Sequence, residues 1–179
     1  MIQSTFRQAM AEDAVEIARL VNAAYRPRPG TEGWTHESSL ISGDRITVPQ
    51  VRELLQQNVV LLGLHDGKII ACVQIQVKGR EALIGMLAVE PGRQGSGVGN
   101  AMLVQAEAYA ESSLGAEQFV LLVIRARTEL VQYYLRRGYE DSGQRLDFPL
   151  GSGVGTPRGE ALDLVMLRKH RKAPLDLIG

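Results

Sequence analysis

The chain has 179 residues, of which 45% are hydrophobic and 22% are charged, which is enough for one domain with a substantial core. Twenty basic residues balance twenty acidic ones, so no overall field favours nucleic acid or an anionic membrane, and neither is expected as a partner. Cys72 is the only cysteine, so an intrachain disulfide is excluded, and the three scattered histidines predict no metal site. No signal-peptide core or membrane-spanning run is found, so we expect a cytoplasmic location.

Hydrophobic periodicity predicts a strand, two helices, three strands, a helix, a strand, a helix and two strands. In chain order these elements cover residues 2–8, 14–24, 47–58, 59–64, 68–78, 82–89, 98–113, 119–124, 129–137, 139–150 and 161–168. Thr47 and Gln50 have the spacing of a capping box at the start of the second helix. Asp66 and Gly67 are typical of a tight hairpin turn, and Gly138 is typical of a helix end. No linker interrupts this series, so we expect a single domain over residues 1–179, with 170–179 as a tail.

A glycine-rich loop at residues 94–99, Gln-Gly-Ser-Gly-Val-Gly, lies between an apolar strand and an amphipathic helix. Glycines let a bulky anion approach the backbone, and the first amides of a helix lack internal partners and lie at the positive end of its dipole. The loop therefore predicts a diphosphate site, with a tight turn that binds nothing as the alternative. Asn100 replaces the last glycine of the dinucleotide motif, and no Gly-Lys-Ser/Thr follows as in an ATP-binding loop.

Residues 151–155, Gly-Ser-Gly-Val-Gly, repeat five letters of the glycine-rich loop in a different context. They lie next to prolines, and no helical pattern follows them. Turn chemistry therefore predicts a flexible connection here instead of a phosphate site.

With both the element order and two motifs in place, the chain resembles the Gcn5-related N-acetyltransferase (GNAT) superfamily over nearly its whole length. The acetyl-CoA signature of that superfamily, Arg or Gln, two residues, Gly, one residue, Gly or Ala, is met by Gln94, Gly97 and Gly99. Its second signature, an aromatic-rich short helix ending in Gly-Phe or Gly-Tyr, is met by residues 133–139. The resemblance implies an α/β (α+β) fold with a mixed, mostly antiparallel, twisted sheet of about seven strands and about four flanking helices.

The resemblance also implies acetyl-CoA as co-substrate, without a metal. The pantetheine arm is expected along the strand that precedes the loop, where that strand separates from its neighbour, and the diphosphate is expected on the loop. The residues carried over are Leu87, Ala88 and Val89 for the pantetheine, and Gln94, Gly95, Gly97, Val98, Gly99 and Asn100 for the diphosphate. Arg127 stands where many relatives have Asn, and is expected either to reach a CoA phosphate or to lie in solvent.

Transfer to an amine requires a base for the ammonium and an acid for the departing thiolate. Tyr134, four residues before Gly138, matches the position from which superfamily members often direct a phenol at the sulfur, and a phenol with a pKa of about 10 is protonated at neutral pH. Tyr134 is therefore the candidate acid. The alternative is a packed tyrosine with an anchored hydroxyl, a role better suited to Tyr133 or Tyr139.

The acceptor side is less defined in sequence. In the superfamily the segment after the first helix usually forms a wall of the acceptor pocket, and here it contains Trp34, Thr35, His36 and Glu37, whose side chains suit an amine-binding surface. Glu37 is the preferred base, with His36 or a water relay as substitutes. A helix cap at Thr35 with a solvated Glu37 is the alternative. Arg45 is a candidate for an acceptor carboxylate, against an ion pair with Asp44 or solvation.

These residues predict an acetyl-CoA-dependent N-acetyltransferase that acts on a primary amine of a small molecule in a ternary complex. One alternative acceptor is a protein N-terminus or lysine, although residues 26–46 are long enough to cover the site. The other alternative is a non-catalytic acyl-CoA-binding module. A homodimer is also compatible with the resemblance, because the final strands of this fold commonly pair across dimers.

Overall fold

The computed structural model describes residues 5–30, 36–159 and 162–172. Its helices are α1 Ala14–Tyr25, α2 Val48–Gln57, α3 Val98–Leu114 and α4 Thr128–Leu135. Its strands are β1 Thr5–Gln8, β2 Ile41–Ser42, β3 Val59–His65, β4 Lys68–Lys78, β5 Glu81–Val89, β6 Gln118–Ile124, β7 Glu140–Asp147, β8 Thr156–Pro157 and β9 Asp163–His170. The predicted element order is confirmed, and β2 and β8 are additions that the sequence did not predict.

Seven strands form one sheet in the order β1-β3-β4-β5-β6-β9-β7, and β2 pairs with β8 in a separate two-stranded ladder. Every neighbouring pair in the large sheet is antiparallel except β5 and β6. This mixed, mostly antiparallel sheet with four helices confirms the predicted fold class. No helix among the described residues is long and apolar enough to cross a membrane.

The sheet has a core on each face, because successive side chains of a strand point to opposite sides. On one face, α1 and α2 pack on the sheet through residues such as Leu20 and Val51, which meet Leu62 of β3. On the other face, α3 packs through residues such as Met102 against β4 and β5. The segment that connects β5 to α3 thus lies at the edge of the two cores.

The connections follow the chemistry of their residues. In the β3–β4 hairpin, Asp66 and Gly67 have φ values of 50° and 73°, as a turn with two left-handed residues requires. At the start of α2, Thr47 accepts a hydrogen bond from the Gln50 amide, while the Gln50 side chain accepts one from the Thr47 amide. Gly138 has a φ of 87° just after α4. All three local predictions are confirmed.

The ladder between β4 and β5 contains a bulge that shapes the rest of the molecule. Cys72 pairs with Ala88 and Gln74 pairs with Gly85, so one residue of β4 faces two of β5, Met86 and Leu87. Met86 has a φ of 49°, a left-handed conformation that is uncommon for a residue other than glycine. The bulge turns the end of β5 away from its regular path.

Candidate active site

Beside this bulge, β5 and β6 separate. They pair in parallel over only three residue pairs, ending at Leu83 and Val120, and no further pairing joins them. A cavity of about 580 Å³ opens beyond this point, between the end of β5, the glycine-rich loop and α4. We call it the loop cavity. It is lined by Tyr25, Leu87, Val89, Pro91, Gln94, Gly95, Gly97, Gly99, Asn100, Leu130, Tyr133, Tyr134 and Arg137.

The backbone of the glycine-rich loop lines this cavity at Gly95, Gly97 and Gly99, which have no side chains. Gly95 and Gly97 have φ values of 79° and 89°, which glycine adopts without strain. The first hydrogen bond of α3 runs from the Ala101 amide to the Gly97 carbonyl at 3.0 Å, so the amides before Ala101 have no partner within the helix. The loop therefore has the backbone of an anion site at the positive end of a 17-residue helix.

Most of the residues predicted to bind the cofactor line the loop cavity, seven of the nine in all: Leu87, Val89, Gln94, Gly95, Gly97, Gly99 and Asn100. Gln94 also donates from its side chain to the Val89 carbonyl at 3.1 Å, which fastens the loop to the end of β5. The side chains of Ala88 and Val98 are buried in the two cores instead. Any contact that these two residues make with a ligand must come from their backbone.

Arg137 is a functional candidate that the sequence reasoning missed. Its guanidinium lies 3.4 Å from the centroid of the Tyr133 ring and donates to the Tyr133 carbonyl at 2.9 Å. It also donates from Nε to Oδ1 of Asn100 at 2.7 Å, which brings a positive charge beside the start of α3. The feature of the sequence that could have indicated it is its position directly before Gly138 in the second motif. The residues present thus fit a diphosphate: free helix amides, glycines without side chains, and one fixed cation.

Tyr134, the predicted acid, also lines the loop cavity. Burial raises the pKa of its phenol above the ordinary value, so the proton is retained at neutral pH. Its ring makes edge contacts with Tyr133 and Tyr139, with centroids 5.2 and 6.0 Å away. Its hydroxyl makes no hydrogen bond with any residue that the structure describes. Packing against Tyr133 and Tyr139 thus holds the Tyr134 ring in place, and its hydroxyl stays protonated and able to act as a proton donor.

Two neighbouring tyrosines have hydroxyls that are already used. The Tyr139 hydroxyl donates to Glu107 at 2.9 Å, which confirms the anchored role predicted for this residue. The Tyr25 hydroxyl donates to the Leu87 carbonyl at 2.7 Å, in the β5 bulge. Burial raises the pKa of both phenols. Tyr25 was not predicted as a site residue, because nothing in its local sequence distinguishes it from a core residue of α1.

A second cavity, of about 250 Å³, lies on the sheet face beyond the edge of α1. We call it the sheet cavity. Its floor is apolar and includes Leu83, Leu122 and Leu164 from three adjacent strands. Phe148 and Val154 form a wall on one side, from the chain between β7 and β8. The two cavities share Tyr25, Leu87, Leu130 and Tyr134.

Glu37 lies in the wall of the sheet cavity, and its carboxylate is ion-paired. It accepts from Arg26 at 2.7 Å, with the two side chains only 11% and 7% exposed respectively. Arg127 lies 3.6 Å from its other oxygen and is itself 3% exposed. The expected solvated side chain of Arg127 is therefore wrong, and Arg127 is not among the residues that line the loop cavity. The reason is a buried charge: Glu37 needs guanidinium partners in the interior. Glu37 is likewise not solvated.

Other residues of the acceptor segment have varied positions. Trp34 and Thr35 fall outside the described residues. His36 is described but does not line either cavity, and the amides of Leu40 and Ile41 both donate to the Glu37 carbonyl in a hydrogen-bonded turn. Arg45 does line the sheet cavity, with its guanidinium 5.7 Å from the centroid of the Tyr25 ring. Of the predicted acceptor residues, the structure thus brings Glu37 and Arg45 together.

The second glycine run, residues 151–155, is held more firmly than its sequence predicts. A side chain at Gly155 would lie 2.6 Å from both Ile41 and the Ser42 carbonyl, and one at Gly153 would collide with Gln50. The Val154 carbonyl accepts from Arg26 at 3.0 Å. No helix follows, as expected, but the run is packed against β2 and α2.

The thiol of Cys72 is fully buried, and burial raises its pKa to about 12. It lies in the core beneath α1 and α2 and lines neither cavity described above. Within the described ranges, no cluster of three potential metal ligands occurs.

Comparison with known proteins agrees with this geometry. The sequence model of the acetyltransferase (GNAT) family matches residues 16–139. The S-alkylcysteine N-acetyltransferase of Bacillus subtilis is 27% identical over 150 residues, which cover 78% of this chain and 80% of that protein.

Solved structures share the fold. An N-acetyltransferase from Staphylococcus aureus superposes with a TM-score of 0.71 at 14% identity, covering 94% of this chain and 97% of its own. A GNAT family acetyltransferase from Elizabethkingia anophelis, solved with acetyl-CoA bound, superposes with a TM-score of 0.66 at 14% identity, covering 96% of this chain and 100% of its own. The match of the family model over more than two thirds of the residues shows that this chain belongs to the GNAT family of acetyltransferases.

Proposed function

We propose that the protein transfers an acetyl group from acetyl-CoA to a primary amine of a small molecule, by direct attack within a ternary complex. The observation that supports this most strongly is the meeting of the two cavities at Tyr25, Leu87, Leu130 and Tyr134. A donor in the loop cavity and an acceptor in the sheet cavity would approach each other at these residues, beside a protonated phenol.

Acetyl-CoA would supply an activated acetyl thioester. The loop amides and Arg137 would bind its diphosphate, and the separated end of β5 would place the pantetheine arm beside Leu87 and Val89. Tyr134 would donate its proton to the departing sulfur, since burial keeps the phenol protonated and its hydroxyl is not used elsewhere among the described residues. Backbone positions 88 and 98 complete this proposed donor site.

The ion pairs of Glu37 favour a positioning role over the predicted role of base. Taking up a proton on this carboxylate would remove the counter-charge of Arg26 in the cavity wall and one of the two counter-charges of Arg127 behind it. We therefore propose that Glu37 orders the acceptor wall, and that the amine loses its proton through water. His36 remains the alternative base predicted from the sequence, and Trp34, Thr35 and His36 remain predicted contacts of the acceptor.

A small acceptor is supported by the size of the sheet cavity. Its volume of about 250 Å³ lies below the range of roughly 300–1,000 Å³ that is usual for drug-sized ligands. By its name, the Bacillus subtilis relative acetylates S-alkylcysteine, which is a small molecule. Direct transfer is supported by the position of Cys72, whose buried thiol lines neither cavity and so is unsuited to carry an acyl group.

The test is release of free thiol from acetyl-CoA in the presence of a panel of amines: α-amino acids, amino acid amides, polyamines and lysine-containing peptides. We expect thiol release with small molecules only, and intersecting initial-velocity lines, as for a ternary complex. Parallel lines would indicate an acyl-enzyme and contradict direct transfer. Tight CoA binding without thiol release for any amine would instead indicate a non-catalytic binding module.

A further inference from the structure

The charged groups around the sheet cavity do not match a simple cationic amine. The charged side chains that line it are Arg26, Glu37 and Arg45, two positive charges against one negative. Glu37 is already paired with Arg26 at 2.7 Å and also with Arg127, which lies behind it and pairs with Glu129 as well. Among the described residues, the cavity thus has no spare carboxylate for an ammonium group and has an excess of guanidinium.

Arg45 is the cation in this wall that lacks a counter-charge. No carboxylate in the described part of the chain lies within ion-pair distance of its guanidinium. Asp44, which the sequence offered as a partner, is exposed and does not pair with it. An unpaired guanidinium beside an apolar floor is a binding group for an anion, because a carboxylate accepts two parallel hydrogen bonds from it.

The backbone of Arg45 is fixed in place by Asn22 of α1. The Asn22 side-chain oxygen accepts from the amides of Arg45 and Ile46 at 2.7 and 3.2 Å, and its nitrogen donates to the Ile46 carbonyl at 2.7 Å. The Tyr25 ring then lies beneath the guanidinium, 5.7 Å away. Arg45 therefore lies in the sheet cavity beside Tyr25, a residue that lines both cavities.

We propose that the acceptor is an α-amino acid with an apolar side chain, whose carboxylate is bound by Arg45. This inference rests on the proposed function and adds the substrate class. The acceptor supplies its own negative charge, so its entry offsets the excess of guanidinium in the wall. Its amine faces the shared residues Leu87 and Tyr134, and its side chain lies on the apolar floor near Leu122 and Leu164.

The substrate test compares three molecules that share one side chain: leucine, leucinamide and isopentylamine. Each has a primary amine, but leucine carries a carboxylate, leucinamide carries a neutral amide, and isopentylamine carries neither. We expect kcat/KM to be at least about tenfold higher for leucine than for the other two, because only leucine pairs with Arg45. Methionine and phenylalanine, each beside its amide, extend the comparison to other apolar side chains.

The protein test is Arg45→Gln, with Arg45→Lys as the conservative variant. Arg45→Gln should raise KM for leucine and lower kcat/KM by about 10- to 100-fold, while kcat/KM for leucinamide changes by less than about threefold. Arg45→Lys should recover part of the loss. Arg52→Gln removes the same charge from the exposed face of α2, away from both cavities, and should leave all three substrates unaffected.

Any of the following results would overturn the inference. If the amide or the plain amine is acetylated as well as the free acid, or if Arg45→Gln lowers all three equally, no carboxylate is recognised and only the proposed function stands. If polyamines or peptides are the preferred acceptors, the substrate class is wrong. If no amine in the panel causes thiol release, both the proposed function and this inference are wrong.

Discussion

The hydroxyl of Tyr25, at the end of α1, donates a 2.7 Å hydrogen bond to the carbonyl of Leu87, which lies 62 residues later in the bulge of β5. This bond fixes the bulge that separates β5 from β6, and it does so at the point where the loop cavity meets the sheet cavity. A residue at the end of α1 thereby helps to set the shape of the loop cavity.

Tyr25→Phe should therefore impair the donor side of the reaction. Loss of one hydrogen bond should lower the free energy of unfolding by about 1 kcal/mol, and KM for acetyl-CoA should rise because the Leu87 carbonyl is no longer held. Urea denaturation and initial rates measure the two effects. Tyr109→Phe is the matched control, because that hydroxyl bonds Gln8 at the exposed surface. Equal behaviour of the two variants would contradict the assigned role.

Tyr134→Phe should lower kcat by about 10²- to 10⁴-fold while the fold and the binding of CoA are retained. The reason is loss of the proposed acid for the departing sulfur. Because burial raises the pKa of Tyr134, its deprotonation should not limit the rate at any pH below about 10. Stopped assays of thiol release across pH 6–10 check both points.

The control for Tyr134 is Tyr139→Phe. This variant loses the hydrogen bond to Glu107, so it should reduce stability with little change in kcat. A Tyr134→Phe enzyme with full turnover would show that the acid lies elsewhere.

Glu37→Gln should destabilise the protein by about 3–5 kcal/mol, because it removes the carboxylate paired with the buried guanidinium of Arg26 and one of the two paired with Arg127. Glu129→Gln is the control: this carboxylate also pairs with Arg127, but it is 51% exposed, so its loss should cost less than about 1 kcal/mol. Thermal denaturation distinguishes the two variants.

The pH profile of Glu37→Gln, measured below its unfolding temperature, tests the role of base. For a positioning residue, the shape of the kcat profile should match that of the unaltered protein. Recovery of kcat as pH rises, with the amine deprotonated by hydroxide, would indicate that Glu37 is the base after all.

Gly155→Ala should raise KM for the acceptor and leave KM for acetyl-CoA unchanged. The added methyl group would collide with Ile41 and Ser42, displacing the β2–β8 ladder and Val154, which lines the sheet cavity. Gly159→Ala shares the positive φ, 105° against 99°, but has nothing within 4 Å of the added group. The comparison of the two variants separates the effect of the collision from that of backbone strain. Similar KM values for the acceptor in both variants would contradict the role assigned to the collision at Gly155.

The ion pair at the start of α1 predicts a loss of stability in acid. Asp13 accepts two hydrogen bonds from Arg7, at 2.7 and 2.8 Å, and one from the Met10 amide, which lower its pKa. The stabilisation is complete above the unfolded pKa of about 4 and disappears as pH falls through the lower folded value.

Asp13→Asn should thus cost about 1–2 kcal/mol at pH 7 and progressively less below pH 4. Urea denaturation at a series of pH values measures the difference, with Glu12→Gln as the control at an adjacent exposed carboxylate. A difference that grows as pH falls would contradict the sign of the pKa shift.

What could be read from the sequence was local. The capping box at Thr47, the hairpin turn at Asp66 and the glycine-rich loop each depend on a few adjacent residues, and each is found where it was predicted. The hydrophobic period gave the order of the elements for the same reason.

What could not be predicted depends on residues far apart in the chain. The left-handed φ of Met86 has no local signal, because it accompanies a bulge whose carbonyl is held by Tyr25. The burial of Arg127 follows from the position of Glu37, 90 residues earlier. Spacing in a sequence gives no indication of such pairs, since they form only when the sheet and the acceptor segment come together.

The short parallel ladder between β5 and β6 divides the molecule into two lobes. The glycine-rich loop extends from the first lobe, whereas Tyr134 belongs to α4, which follows β6 in the second. Three residue pairs are thus the only strand-to-strand connection within the described sheet between the glycine-rich loop and Tyr134. In the proposed reaction, small rotations of one lobe against the other would change the distance from the Tyr134 phenol to the acetyl-CoA sulfur, so the alignment of donor and acid would depend on this narrow joint and on the side chains packed across it.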